Sequence, residues 1–201
     1  MTLSKRLLDL IMGFVLLFLL GPIILITALI VLALDGRPVF YVSERMKSLT
    51  EGFNLIKFRT MKPAVGDSGV SGGEKVARIT RTGQFLRRSR LDELPQLWNV
   101  IRGDISFIGP RPPLRQYVER FPAIYKKVLK SRPGVSGLAS IYFHAHEERL
   151  LSRCRSREET DLIYCRHCIP RKARLDLIYQ TNRNICLDVS LMFKTAFKRL
   201  R

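Results

Sequence analysis

The hydrophobic pattern divides the chain into two unequal parts. From Leu10 to Leu34 there is no charged residue, whereas beyond Gly36 the apolar positions come in short runs broken by lysine, arginine and glycine. About 20 apolar residues suffice to cross a bilayer as a helix, and this run is longer. It also exceeds the core of a signal peptide, about 7–15 residues ending in a small-residue cleavage site. Its own end, Ile30-Val31-Leu32-Ala33-Leu34, offers no such site. Gly21-Pro22 stands in the middle. Proline lacks a donor and clashes with the carbonyl four residues back, so the pattern predicts a kink or break near Leu20.

The flanks bear on topology. Lys5 and Arg6 precede the run, and Arg37, Arg45, Lys47, Lys57 and Arg59 follow it. Basic flanks prefer the cytoplasmic side, and a single crossing cannot put both there. A re-entrant helix-break-helix over residues 1–36 can, leaving residues 37–201 as a domain on the cytoplasmic face. A kinked single-pass helix is the alternative, since membranes tolerate proline.

Beyond the run, Pro38-Val39-Phe40-Tyr41-Val42 and Phe53-Asn54-Leu55-Ile56-Lys57-Phe58 read as strands, with a turn at Thr50-Glu51-Gly52. Val65 to Lys75 is glycine-rich and polar and reads as a surface loop; no Gly-Lys-Ser/Thr follows, so it is not a P-loop. Thr80 to Leu94 reads as a helix with Phe85, Leu86, Leu91 and Leu94 on its apolar side. Pro95 ends it and opens a second helix, where the missing donor costs nothing. The expected fold is α/β and helix-dominated.

Charge narrows the partners. With 35 Lys+Arg against 17 Asp+Glu, the formal net charge is +18, which calls for anionic partners: nucleic acid, anionic lipid or phosphorylated substrates. The chain has one tryptophan and no recognisable nucleic-acid-binding module or repeat, so nucleic acid is not the expected partner.

Against this basic background, Asp92 and Glu93 stand adjacent behind a cluster of arginines. On a helix Arg88 lies one turn before Asp92, and Arg90 lies three residues before Glu93. One reading is a pair of solvated salt bridges, each worth under about 1 kcal/mol. The other is a nucleophilic carboxylate beside a metal-binding or acid-base carboxylate, in a field of arginines that receives phosphates. Spacing alone does not choose between them. Farther on, Pro110-Arg111-Pro112-Pro113 stiffens the backbone around one guanidinium, whose planar fork suits bidentate phosphate contacts.

These blocks carry a resemblance. RSRLDELPQLWNVIRGDISFIGPRP resembles the signature of the bacterial sugar transferases, the small monotopic polyprenyl-phosphate phosphoglycosyl transferases. The KRLLDL start and the broken apolar run are similar to that family's re-entrant membrane helix. Ile56-Lys57-Phe58-Arg59-Thr60-Met61 resembles its K-F-[KR]-T-M segment, and Arg132-Pro133-Gly134-Val135-Ser136-Gly137-Leu138-Ala139 its R-P-G-[IV]-[ST]-G-L-A turn. Asp176 and Tyr179, then Asp188 and Thr195, resemble its D-x-x-Y and later D…T patterns.

The resemblance implies transfer of a sugar 1-phosphate from a nucleotide diphosphate sugar to undecaprenyl phosphate, with release of the nucleoside monophosphate. Asp92 would attack and form a covalent aspartyl-phosphosugar intermediate. Glu93 would hold Mg²⁺. Lys57, Arg59, Arg88, Arg111 and Asp176 would serve the phosphates and the nucleotide, and Gly21 and Pro22 the membrane break. The implied location is the cytoplasmic face of the bacterial inner membrane, against anionic lipids, and a homodimer is compatible with it. Phe85 with Leu86, and Val189 to Leu200, are candidates for the interface plane, with core packing as the alternative.

Some stretches depart from the pattern. Gly21-Pro22 replaces the family's Ser-Pro, and Ser140-Ile141-Tyr142-Phe143-His144 replaces a Q-V-x-G-R-like stretch, so the arginine of that stretch has no counterpart. Cys165 and Cys168 have C-x₂-C spacing near Cys154, His144, His146 and His167, but no second pair completes a zinc site. Reduced thiols and solvent-facing or packing histidines are the reading adopted. A membrane-anchored basic binding or scaffold protein without catalysis is the competing function.

Overall fold

The computed structural model describes residues 2–63 and 73–198. The apolar run forms α1, Leu3–Asp35, a single helical element with Pro22 inside it. The expected break into two helices is therefore not present. Proline at position 22 removes the one hydrogen bond to the Phe18 carbonyl, and the leucines and isoleucines on either side sustain the rest of the ladder. Asp9, Gly13, Thr27 and Val31 are buried along α1, whereas Phe14, Phe18, Leu25 and Leu29 are exposed. Only 11 % of its most apolar 18-residue window is buried. An exposed helix that is apolar nearly all round is compatible with membrane anchoring.

Both ends of α1 are fastened to the same domain. At the start, Arg6 donates to the carbonyls of Val100 (2.7 Å) and Ile101 (2.6 Å), and Asp9 accepts from Ser106 Oγ and the Phe107 amide. Lys5 Nζ donates to Asp188 (2.6 Å) and to the Tyr179 hydroxyl (3.2 Å). At the other end, Arg59 donates to the carbonyls of Asp35, Gly36 and Arg37. Thr80 donates to the Asp35 carboxylate, and Val31 packs with Phe58 and Leu86.

The predicted hairpin is present with shifted bounds. β1 (Phe40–Met46) and β2 (Gly52–Phe58) pair antiparallel, Phe40 opposite Phe58 and Met46 opposite Gly52. Of the glycine-rich stretch, residues 64–72 lie outside the described residues, and Gly73–Arg78 is a 3₁₀ helix rather than loop. The helix expected over Thr80 to Leu94 is shorter: α2 spans Arg81–Ser89, capped by the Thr80 hydroxyl, and Leu91–Glu93 is a separate 3₁₀ turn before α3, Gln96–Arg102.

Asn99 of α3 ties this region to the hairpin. It is 1 % exposed, accepts from the Ile56 amide, and donates to the Asn54 carbonyl and to Asp104. Next come β3 (Ser106–Ile108), α4 (Arg115–Arg120), α5 (Pro122–Val128) and β4 (Gly134–Ser136), with β3 and β4 paired in parallel. Gly134 sits where a Cβ would lie 2.2 Å from the Gly109 amide nitrogen, so glycine permits the two backbones to meet beneath Pro110-Arg111.

The remaining helices are α6 (Leu138–Tyr142), α7 (His144–Leu151), α8 (Arg157–Ile163), α9 (Ile169–Asn182) and α10 (Ile185–Lys198), with a π-helical turn at Tyr164–Cys168. The largest buried cluster joins Met46, Tyr117, Tyr125, Tyr164, Cys168 and Ile169. Leu86 is 2 % exposed and belongs to the core, whereas Phe85, 63 % exposed, faces outward. In α10, Phe193 and Phe197 are exposed, and residues 199–200 lie outside the described residues.

Candidate active site

The site is built where α2 stops. Arg90 adopts left-handed backbone (φ 58°, ψ 18°), the one non-glycine residue with positive φ among the described residues, and this turns the chain out of the helix. Pro95 prevents an α-helical bond onto the Leu91 carbonyl, which instead accepts from the Leu94 amide at 3.1 Å in the 3₁₀ manner. The tight turn carries Asp92 and Glu93 inward, to 8 % and 7 % exposure, against β2.

The two carboxylates are treated differently. Glu93 Oε1 accepts from Lys57 Nζ and from Arg111, each at 3.0 Å, with Arg90 at 3.9 Å. Burial alone would raise its pKa, but Arg111, Lys57 and Arg90 hold it far below the carboxylate range. Asp92 keeps one buried oxygen, Oδ1, without a hydrogen-bond partner. Burial and the neighbouring Glu93 raise its pKa, against Lys57, Arg90 and Arg87. The result is one locked carboxylate beside one with an unengaged oxygen, inside a shell of four cations.

Lys57, Arg111, Asp92 and Glu93 come together from β2, the Pro-Arg-Pro segment and the 3₁₀ turn. Arg88 does not join them. It is exposed, and Arg87 and Arg90 act on Asp92 instead, because the left-handed residue removes the helical spacing that would have paired Arg88 with it. Arg59 turns its donors to the carbonyls that end α1, which gives it an anchoring geometry.

Asp176 lies buried in α9, 6 % exposed, with Lys172 the charge acting on it. Burial raises its pKa to about 7, against Lys172. A carboxyl with a raised folded-state pKa loses its stabilising effect as pH climbs from the unfolded value toward the folded one. Asp176→Asn is therefore expected to raise the melting temperature above pH 7 and to flatten the decline between pH 4 and 7. Thermal unfolding across that range checks this, and a variant less stable than the parent at pH 8 contradicts it.

Cys154, Cys165 and Cys168 are buried, and burial pushes the Cys168 thiol up to about 11. They pack as small apolar groups. Among the described residues, no group of three or more His, Cys, Asp or Glu is placed to hold a metal ion. Mg²⁺ needs less: it is commonly held by one or two carboxylates together with substrate phosphates. Glu93 supplies the one carboxylate that requirement asks for, and the unengaged oxygen of Asp92 stays free of it. Four cations around two carboxylates disfavour a lone dication, so the residues fit Mg²⁺ as a magnesium-diphosphate unit.

Fold and site together define a helix-rich protein with one long apolar helix compatible with membrane anchoring, carrying beside it a cation-ringed carboxylate pair suited to phosphate chemistry. The chain belongs to the bacterial sugar transferase family, whose model matches residues 1–201. Over 198 residues it is 33 % identical to a UDP-glucose:undecaprenyl-phosphate glucose-1-phosphate transferase of Klebsiella pneumoniae, covering 96 % of this chain and 39 % of the relative. It is 30 % identical over 197 residues to a UDP-N-acetylgalactosamine-undecaprenyl-phosphate N-acetylgalactosaminephosphotransferase of Aeromonas hydrophila, covering 95 % and 42 %. It is 29 % identical over 208 residues to the exopolysaccharide production protein ExoY of Sinorhizobium fredii, covering 96 % and 83 %. The chain thus spans about two fifths of the length of the first two relatives.

Proposed function

We propose that this chain transfers a sugar 1-phosphate from a UDP-sugar to undecaprenyl phosphate, releasing UMP. The observation that carries the reading is the asymmetry of the carboxylate pair: Glu93 is held by Lys57 and Arg111, while Asp92 keeps a buried oxygen unengaged. A nucleophile needs a lone pair free of partners, and a cationic shell lets an anion approach a diphosphate.

Asp92 Oδ1 attacks the sugar-linked phosphorus, the bond between that phosphorus and the bridging oxygen breaks, and UMP leaves with that oxygen. Lys57, Arg90 and Arg111 take up charge on the phosphate oxygens. An oxygen of undecaprenyl phosphate then attacks the same phosphorus and Asp92 leaves as the carboxylate, completing a ping-pong cycle. Glu93 would hold Mg²⁺, which when bound would supply charge neutralisation at the diphosphate. Glu93→Gln is expected to lower turnover and to raise the Mg²⁺ concentration needed for half-maximal rate. A Mg²⁺ titration of initial rates checks this, and an unchanged midpoint contradicts it.

The membrane element serves the lipid substrate. Fastening both ends of α1 to one domain favours entry and exit on one side, the re-entrant arrangement at the cytoplasmic face of the inner membrane. Exposed Phe85, Trp98, Phe193 and Phe197 are suited to the headgroup region, where basic side chains near anionic lipid each add about 1 kcal/mol. The test of function is UMP release from a panel of UDP-sugars with Mg²⁺ and undecaprenyl phosphate. Release that depends on the lipid phosphate supports the reading, and silence across the panel from folded, membrane-bound protein counts against it.

A further inference from the structure

The stretch in which the sequence departs from its family opens α7, and α7 lies against the site. His144, Glu147 and Glu148 are spaced i, i+3 and i+4, and therefore share one helical face. Each acts on the cations around the carboxylates. His144 Nε2 contacts the Arg90 guanidinium and also lies 3.4 Å from Glu148 Oε1. Glu147 accepts from Lys172 at 2.8 Å and acts electrostatically on Arg111, and Glu148 acts on Arg87. Arg90 is thus held between Glu93 on one side and His144 on the other, although its own left-handed backbone belongs to the turn that presents Asp92.

A guanidinium has donors only, so its partner nitrogen on His144 accepts and carries no proton. That requirement makes the contact conditional. Protonated Nε2 would set a second cation against Arg90 and release it.

We infer that His144 is a positioning residue of this site: its unprotonated Nε2 accepts from Arg90 and fixes that guanidinium beside the carboxylate pair, where it meets the donor's phosphates already oriented. The inference rests on the transferase reading for its kinetic consequence and on geometry alone for the contact. The groups facing His144 come from three elements. Burial, then Arg90 at the end of α2 and Arg111 after β3, lower the pKa of the imidazole, against Glu148 and Glu147 of α7. Arg90 and His144 are about one-third exposed, 31 % and 34 % for their side chains, so the contact is open to solvent protons.

Two measurements test this. In the kinetic arm, His144→Ala lowers kcat/KM at pH 8 by on the order of tenfold to a hundredfold with an unchanged melting temperature, the size expected when a phosphate-binding group is misplaced. His144→Gln, whose carbonyl oxygen can accept as Nε2 does, retains most of the rate and loses the part of the acidic limb that belongs to the imidazole. An Ala variant with the parent's rate and pH profile overturns the inference, as do Ala and Gln variants impaired equally. In the second arm, NMR titration of the His144 ring, assigned against the three histidine variants, gives a higher pKa in Arg90→Gln than in the parent. An unchanged value overturns the contact whether or not any donor is turned over. If the parent releases no UMP from any donor, the transferase reading fails and the titration alone decides the role of His144.

Discussion

Asp92→Asn is expected to reduce turnover by at least about a thousandfold while leaving the protein folded, because it removes the attacking group and nothing else. The amide is nearly isosteric with the carboxylate but has no anionic oxygen to form the bond to phosphorus. Its effect on stability has the opposite sign. Asp92 is buried beside Glu93 and its pKa is raised, so the charged form is disfavoured in the folded state. A neutral amide removes that penalty, and the melting temperature should stay level or rise. Rates and thermal unfolding measured on one preparation separate the cases. Lost activity with a lowered melting temperature would describe a damaged fold, and retained activity would remove Asp92 from the chemistry.

Asp188→Ala should destabilise the protein by roughly 3–5 kcal/mol, the range found when one partner of a buried ion pair is removed. Lys5 and Asp188 have side chains only 12 % and 4 % exposed and meet at 2.6 Å, and the Tyr179 hydroxyl donates to the second Asp188 oxygen at 2.6 Å. The truncation strands Lys5 inside a polar cluster that includes Asp9 and joins the start of α1 to α9, α10 and β3. The combined change Lys5→Met with Asp188→Leu should recover most of the loss, since no charge is then left alone. Thermal unfolding of the detergent-solubilised protein gives the comparison. A double variant as unstable as the sum of its single changes would show that the pair is not coupled.

This cluster also marks where reading the sequence stops. The KRLLDL start, the D-x-x-Y pattern and the later aspartate stand out separately, but Lys5 and Asp188 are 183 positions apart and no local rule joins them. The carboxylate pair, Lys57 and Arg111 were legible because they sit in dense short motifs that resemble those of a known family, although their spacing alone left the chemistry open. Arg88 was chosen on helical spacing, and one left-handed residue at Arg90 gave that place to Arg87 and Arg90. Arg59 belongs to the K-F-[KR]-T-M segment, yet its guanidinium ends α1, a use visible only once Asp35, Gly36 and Arg37 lie beside it. His144 left the weakest signal. A histidine followed by two acids at helical spacing reads as a solvated face, and only the packing of α7 against the arginines gives it a partner. Pro22 lies inside one helical element, since losing one hydrogen bond does not end a helix this apolar.

The central claim is that Asp92 carries the sugar phosphate between two substrates, and the intact mass of the protein tests it most directly. The protein is incubated with Mg²⁺ and the UDP-sugar that supports turnover, with undecaprenyl phosphate withheld. The account predicts a mass increase equal to one sugar phosphate, matched by one equivalent of UMP, absent in Asp92→Asn and discharged when undecaprenyl phosphate is added. No adduct, with UMP formed only once the lipid phosphate is present, would mean direct transfer between the substrates and would contradict the covalent role of Asp92.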